Sequence, residues 1–292
     1  MEKKFKFFCF GFGQVAKYFI KKLSDSNISF DLITTNTTKT CLKYFNGKKH
    51  KSYYLKNNKF DNRLLNDLNT SNKILISISP KNEKDIVLKN FGRNFKKNKF
   101  DWVAYLSATN VYGDQKGQWV DENAKLKPTS KRGIARLNAE TAWLKYYKDF
   151  KIPIQIFRLS GIYSNESNII NRLKTGTLKV VKKKNHFFSR IHVEDIAEIL
   201  ALSLEKKYAG QVFNISDDYP CSNQEIAKYA SLLTNTELPK EIEFKNIKEN
   251  MLKNFYKESK KVDNKKMKKF FNYNLKYATY KEGLKSIKYQ NI

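Results

Sequence analysis

Short apolar runs alternate with stretches of helical period through the first half of the chain. Phe5 to Phe10 is an apolar run of strand length, and behind it Val15, Ala16, Phe19, Ile20 and Leu23 recur at the spacing that buries one helix face. Ser29 to Thr34 predicts a second strand, and Lys73 to Ile78 and Trp102 to Leu106 predict two more. All are continuous apolar runs, as strands covered on both faces should be. Pro153 to Leu159 and Gln211 to Ile215 add two further strands, with a helix from Val193 to Lys206 between them. Six or seven strands interleaved with helices predict an α/β fold, a doubly wound parallel sheet built from βαβ units.

The segment Ser164 to Lys184 leaves that sheet and comes back, and the chain beyond about Asp217 reads as mainly helical. There, Asn223 to Leu233 has helical period and Lys245 to Lys269 is polar and weakly periodic. The expected organisation is a nucleotide-binding domain over 1–163, with 186–216 returning to its sheet, and a smaller, mainly helical substrate lobe over 164–292. Ligand is expected in the cleft between them.

Where the first strand meets the first helix, Gly11-Phe12-Gly13-Gln14-Val15-Ala16 has the spacing G-x-G-x-x-A. The first glycine permits a tight turn, the second lets backbone amides approach a phosphate, and the small Ala16 packs helix against strand. The helix N-terminus turns free N–H groups and a positive dipole end toward a pyrophosphate. Gly11, Gly13, Gln14, Val15 and Ala16 are therefore candidate contacts to a nicotinamide dinucleotide, NAD(P). After the second strand comes Thr34-Thr35-Asn36-Thr37-Thr38-Lys39, without the acid that would bind the ribose 2′-hydroxyl of NAD. Hydroxyls such as Thr35, with Asn36 and Lys39, could take a 2′-phosphate, which tilts the expectation toward NADP.

Lys and Arg number 57 against 28 Asp and Glu, a formal net charge of +29. A concentrated basic surface would point to nucleic acid or an anionic membrane. These lysines are dispersed, and the one dense run, Lys257 to Lys269, includes Glu258 and Asp263 and fits a solvated helix face. Dispersal argues against a nucleic-acid partner. No apolar stretch approaches the roughly 18 residues of a membrane span, and the N-terminal Met1 to Phe10 does not form a secretion signal. Cys9, Cys41 and Cys221 are odd in number and far apart, which fits a reducing cytoplasm, with Cys9 in the core of the first strand. No metal site is expected.

A second set of motifs carries a resemblance. Tyr105 to Gly113, Trp119 to Glu122, Pro128 to Gly133, Phe157 to Tyr163 and Arg190 to Ala197 follow the glycine motif in order. Together they resemble the extended short-chain dehydrogenase/reductase superfamily, and more closely its atypical, NAD-dependent epimerase/dehydratase-like branch. The resemblance covers nearly the whole chain and implies a Rossmann-type fold and oxidoreductase or epimerase/dehydratase chemistry on a small hydroxylated or nucleotide-linked substrate.

The resemblance also marks departures. Catalytic members use a Tyr-x-x-x-Lys pair and a Ser or Thr. Here the tyrosine position is Arg132, the lysine position Arg136 and the Ser/Thr position Ala108, flanked by Ser107 and Thr109. Guanidinium stays protonated and is a poor base, so Arg132 and Arg136, one helical turn apart, would bind an anion or polarise a carbonyl, or else pair with Glu140. Thr109, Arg132 and Arg136 are the candidate catalytic residues. Ser77, placed under the cofactor ribose by topology, and Ser107 join the cofactor set; Tyr112, Arg158 and His192 are candidate substrate contacts. His192 could equally pack or cap its strand-helix junction, and His50 and His186, in Lys-rich loops, receive no role. A non-catalytic dinucleotide sensor or scaffold is the alternative function, and a homodimer is left open.

Overall fold

A computed structural model describes residues 5–80, 84–205, 209–248, 252–253 and 256–290. The first half runs β1 (Phe5–Phe10), α1 (Gln14–Asp25), β2 (Phe30–Asn36), β3 (Cys41–Phe45), β4 (Lys48–Lys56), β5 (Lys59–Phe60), α2 (Leu64–Asn69), β6 (Lys73–Ile76), α3 (Ile86–Lys97) and β7 (Trp102–Ala108). Helix α4 (Lys131–Phe150) and the strands Ile154–Leu159 and Val212–Ile215 follow. Residue Lys206, the expected end of the helix beginning at Val193, lies outside the described residues; the helix is described over Val193–Glu205.

The main sheet has nine strands, in the order Val212–Ile215, Ile154–Leu159, β7, β6, β1, β2, β4, β3, with β5 paired to β4. β1 pairs in parallel with both β2 and β6, β6 with β7, and β2 with β4. The chain therefore moves outward from β1 on one side and then on the other, so the direction of winding reverses at β1, the place where open α/β sheets bind ligands. The apolar run in β1 has a reason on each face. Phe7 meets Phe19 of α1 at 5.5 Å between ring centroids, and Phe10 meets Phe91 of α3 at 5.3 Å.

Beyond the expected strands, β3, β4 and β5 form an antiparallel meander at the sheet edge. Their signal is Asn46-Gly47, with φ of +49° and +74°, the left-handed pair that closes a two-residue hairpin. Lysines along β4 obscure its alternation, since only His50, Ser52, Tyr53 and Leu55 are buried.

By its contacts the chain divides into two units, where the sequence alone suggested 1–163 with 186–216 returning, and 164–292. The first unit comprises residues up to Ala108, Ile134–Arg158 and Ile196–Phe213, and the second Thr109–Gly133, Leu159–Asp195 and Asn214–Ile292. The second unit is less purely helical than expected. It holds three two-stranded parallel pairs, Gly161–Tyr163 with Arg190–His192, Val180–Lys182 with Glu241–Glu243, and Trp119–Val120 with Lys261–Val262. Its core gathers Tyr163, Ile170, Leu173, Val180, Ile226 and Leu284. The lysine run 257–269 is not one solvated face: only Lys265–Phe271 is helical, and Lys260 is buried, its Nζ donating to the Gly113 carbonyl at 2.8 Å and to Glu258 at 2.9 Å.

Candidate functional site

The turn after β1 is built by its own polar neighbours. Gly11 has φ +82°, and a Cβ there would stand 3.0 Å from Ile78 Cγ1 and 3.2 Å from Ser77 Oγ, so both conformation and space require glycine. Its N–H donates to Thr35 Oγ1 at 2.8 Å, and its carbonyl accepts from Cys9 Sγ at 2.8 Å and Ser77 Oγ at 3.3 Å. The Ser77 N–H donates to the Phe10 carbonyl at 2.9 Å. Thr35 and Ser77 therefore brace the glycine turn from the two strands flanking β1.

Gly13 differs from Gly11. As N-cap of α1 it has φ −82°, open to any residue, and a Cβ there would meet nothing within 4 Å. Nothing in the protein needs that side chain to be missing. Val15 and Ala16 are buried behind it and seat the helix, so their part is packing, and Gln14 is half-buried at the helix start. A first helical turn has amides without intrahelical acceptors, and here they open toward a cavity of about 460 Å³. Gly11, Phe12, Gly13, Thr35 and Asn36 line it. So do Lys17 from α1, and Lys43, Phe45, His50 and Ser52 from the β3–β4 hairpin.

Asn36 lines the cavity, but its side chain is committed elsewhere. Oδ1 accepts from the Thr38 and Lys39 amides at 2.9 and 3.1 Å, while Nδ2 donates to the Lys39 carbonyl at 2.9 Å and to Ser52 Oγ at 2.9 Å. The amide thereby shapes the loop. Lys39 is exposed and does not line the cavity.

Further along the same edge lie the carboxyl ends of β6 and β7, next in order after β1. Ser107, near the end of β7, is 2% exposed and its Oγ has no hydrogen-bond partner. Arg136 reaches both strand ends, Nη1 donating to the Leu106 carbonyl at 2.9 Å and Nη2 to Ser79 Oγ at 3.0 Å. Two of its five donors are thus spent on positioning and the others remain.

A family model for the NAD-dependent epimerase/dehydratase family matches residues 92–216. Over nearly all of its length the chain is similar to a conserved protein of unknown function from Silicibacter pomeroyi, at 31% identity and TM-score 0.86, covering 98% of this chain and 99% of that one. It also shares the fold of a dTDP-glucose 4,6-dehydratase from Bacillus anthracis in complex with NAD, at 16% identity and TM-score 0.77, covering 98% and 96%. Over residues 92–216 the chain carries the sequence pattern of the NAD-dependent epimerase/dehydratase family. A dTDP-D-glucose 4,6-dehydratase from Dictyostelium discoideum is 27% identical over 157 residues, 47% of this chain and 35% of that protein. The chain spans well under two thirds of the length of the curated relatives it matches.

Against the family pattern, three expected substrate contacts prove to be core residues. Arg158 is 4% exposed, with Nε 3.2 and 3.1 Å from the two Glu140 carboxylate oxygens and Nη2 2.8 Å from one of them. Burial on the last central strand turned it inward, and it took the carboxylate that Arg132 or Arg136 could have used. Tyr112 is fully buried and donates to Asn214 Oδ1 at 2.7 Å. His192 is 1% exposed, its ring 5.0 Å from that of Tyr163 and 4.1 Å from that of Tyr277, with Nδ1 accepting from the Glu194 N–H at 3.3 Å. It packs and caps its junction. Burial lowers its pKa to about 4.

Thr109 is half-buried and starts the short 3-10 turn after β7; Arg132 is exposed in the first turn of α4. Both fall in the second unit, whereas Arg136 falls in the first. Lys17, Lys43, Phe45 and His50 were missed because a cavity gathers residues from separate elements. The available signal was Asn46-Gly47, which folds β3 back beside β4. His50 lies on β4 and His186 is buried, so neither stands in a solvated loop. Among the described residues no group of three or more His, Cys, Asp and Glu could hold a metal, and no helix is long and apolar enough to cross a membrane.

Proposed function

We propose that the chain is an NAD(P)-dependent enzyme of the epimerase/dehydratase type, acting on a small hydroxylated or nucleotide-linked substrate such as a nucleotide sugar. The observation that carries this reading is Gly13. Its backbone is unstrained and its missing side chain opens into the cavity beside the α1 N-terminus, so the vacancy serves something other than the protein's own packing. A pyrophosphate approaching first-turn amides is the ligand chemistry that such a vacancy suits. Gly11, Gly13 and the start of α1 would hold the pyrophosphate, with Thr35 beside the adenosine ribose. Among the described residues the cavity lining contains no carboxylate to bind a ribose diol, which favours NADP.

When bound, the nicotinamide would supply a site that accepts or gives a hydride. Around it the chain offers fixed donors instead of a tyrosine base. Arg136, held by Leu106 and Ser79, would steady an anionic group or polarise a carbonyl, and the unpartnered Ser107 hydroxyl is a further donor. Thr109 is the nearest replacement for the missing Ser/Thr. The substrate class is supported by the family match over residues 92–216 and by the curated relative named for a nucleotide sugar.

The test is a fluorescence titration of the full-length protein with reduced dinucleotides, wild type against Gly13→Asp. Binding by wild type that is lost in Gly13→Asp supports the reading, and no binding by wild type overturns it. One observation favours a non-catalytic sensor as second reading: Arg132 is exposed, and Arg136 spends part of its guanidinium on the protein itself. Tight cofactor binding without any cofactor reduction across a panel of UDP- and dTDP-sugars would select that reading.

A further inference from the structure

The hairpin at the sheet edge presents one face to the glycine turn. β3 and β4 pair antiparallel with Lys43 opposite His50 and Cys41 opposite Ser52. Side chains alternate along a strand, so directly opposed residues share a face. Phe12, inside the glycine motif, packs against that face at 5.1 Å from the Phe45 ring and 5.5 Å from the His50 ring. Lys43, Phe45, His50 and Ser52 thereby become walls of the same cavity as Gly11, Gly13 and Thr35.

The chemistry of those walls is one-sided. His50 is 4% exposed, and among the described residues no side chain bonds its ring; its polar neighbours are the Lys48 backbone and Lys43. Lys43 beside it and Lys17 on α1 are exposed, and no Asp or Glu lines the cavity. A ribose 2′,3′-diol asks for an acceptor, typically a carboxylate, whereas a 2′-phosphate asks for cations and N–H donors. The walls supply the second set through Lys17, Lys43 and His50, and for a diol they hold hydroxyls and the Asn36 amide but, among the described residues, no carboxylate.

We propose that Lys43 and His50, held side by side by the β3–β4 hairpin and joined by Lys17, recognise the ribose 2′-phosphate and make the protein select NADP over NAD. Lys39, which the sequence puts nearest the end of β2, does not take part. This inference rests on the dinucleotide reading above and assigns discrimination to a hairpin outside the glycine motif.

The experiment is calorimetric titration of the full chain with NADP⁺, NAD⁺, 2′,5′-ADP and 5′-AMP, using wild type, Lys43→Ala, His50→Phe and Lys39→Ala. Wild type should bind NADP⁺ and 2′,5′-ADP at least about tenfold tighter than their partners without the 2′-phosphate. Lys43→Ala, an exposed position where folding is not at stake, should weaken NADP⁺ about tenfold and leave NAD⁺ within about twofold. His50→Phe, which keeps the ring packing on Phe12, should shift the ratio in the same direction, and Lys39→Ala should change neither ligand. Equal affinity for the two dinucleotides in wild type, or a Lys43→Ala loss shared equally by both, overturns the inference while leaving the dinucleotide site standing. Failure of wild type to bind any of the four removes the parent reading and this one with it.

Discussion

Gly11 and Gly13 stand two residues apart and are glycine for different reasons, so substitution should separate them. At Gly11 a side chain meets Ile78 and Ser77 and a backbone of φ +82°, and the fold suffers. At Gly13 a side chain meets open space, and a carboxylate at an N-cap position is worth about 0.5–1 kcal/mol to a helix. Gly13→Asp should therefore keep or slightly raise the thermal midpoint while abolishing dinucleotide binding; a large drop in midpoint would show that Gly13 serves the fold. The Arg158–Glu140 pair offers the opposite case, a charge pair wholly inside the protein. Removing one partner strands the other, at about 3–5 kcal/mol. Glu140→Ala should show that loss in urea denaturation, and Glu140→Leu combined with Arg158→Met should recover most of it. Equal destabilisation by the single and the double change would exclude stranded charge as the cause.

At the level of elements, β1 and the β3–β4 hairpin show why some of the fold was legible and some was not. β1 is sandwiched between α1 and α3, so every residue from Phe7 to Phe10 is buried and the run is continuous. The hairpin is an edge: its outward residues are charged or exposed, as edges that avoid pairing with other chains tend to be, and its alternation is faint. The turn is its strongest signal. Gly47 at φ +74° has open space around a Cβ, so Gly47→Val should cost about 1–2 kcal/mol through the backbone alone. If the hairpin carries the 2′-phosphate contacts, the same change should weaken NADP⁺ more than NAD⁺. Unaltered NADP⁺ affinity in a demonstrably loosened hairpin would count against its role.

For the whole molecule, the balance of buried titratable groups sets the response to acid. Burial lowers His186 and His192 to about 4 from an ordinary 6.5. Between those values the unfolded chain binds more protons than the folded one. Stability that each provides above pH 6.5 is lost as pH falls toward 4, at up to about 1.4 kcal/mol per pH unit for each. Asp85, Asp195 and Asp217 are raised by burial and oppose this slope, because their folded forms hold protons longer as pH rises. The comparison of interest is therefore between slopes. From pH 6.5 to 4.5, denaturation midpoints of wild type should fall more steeply than those of His192→Phe, and parallel curves would mean that His192 titrates normally. The +29 charge adds repulsion that salt screens.

The sequence alone determined what depends on neighbours along the chain: the alternation of apolar runs and helical faces, hence the α/β class, and the strand-turn-helix that places Gly11 and Gly13 at the end of β1. Motif order also disclosed the family resemblance, because order and separation are properties of spacing. Tertiary structure decided which polar residues are spare. Arg158, Tyr112 and His192 occupy motif positions yet are consumed by Glu140, Asn214 and an aromatic pocket, partners 18 to 102 residues away or reached only through packing. Conversely, Lys43 and His50 carry no motif and became cavity walls when the hairpin folded back beside β2. Burial and hydrogen-bond competition are settled by contacts distant in sequence, and no local pattern encodes their outcome.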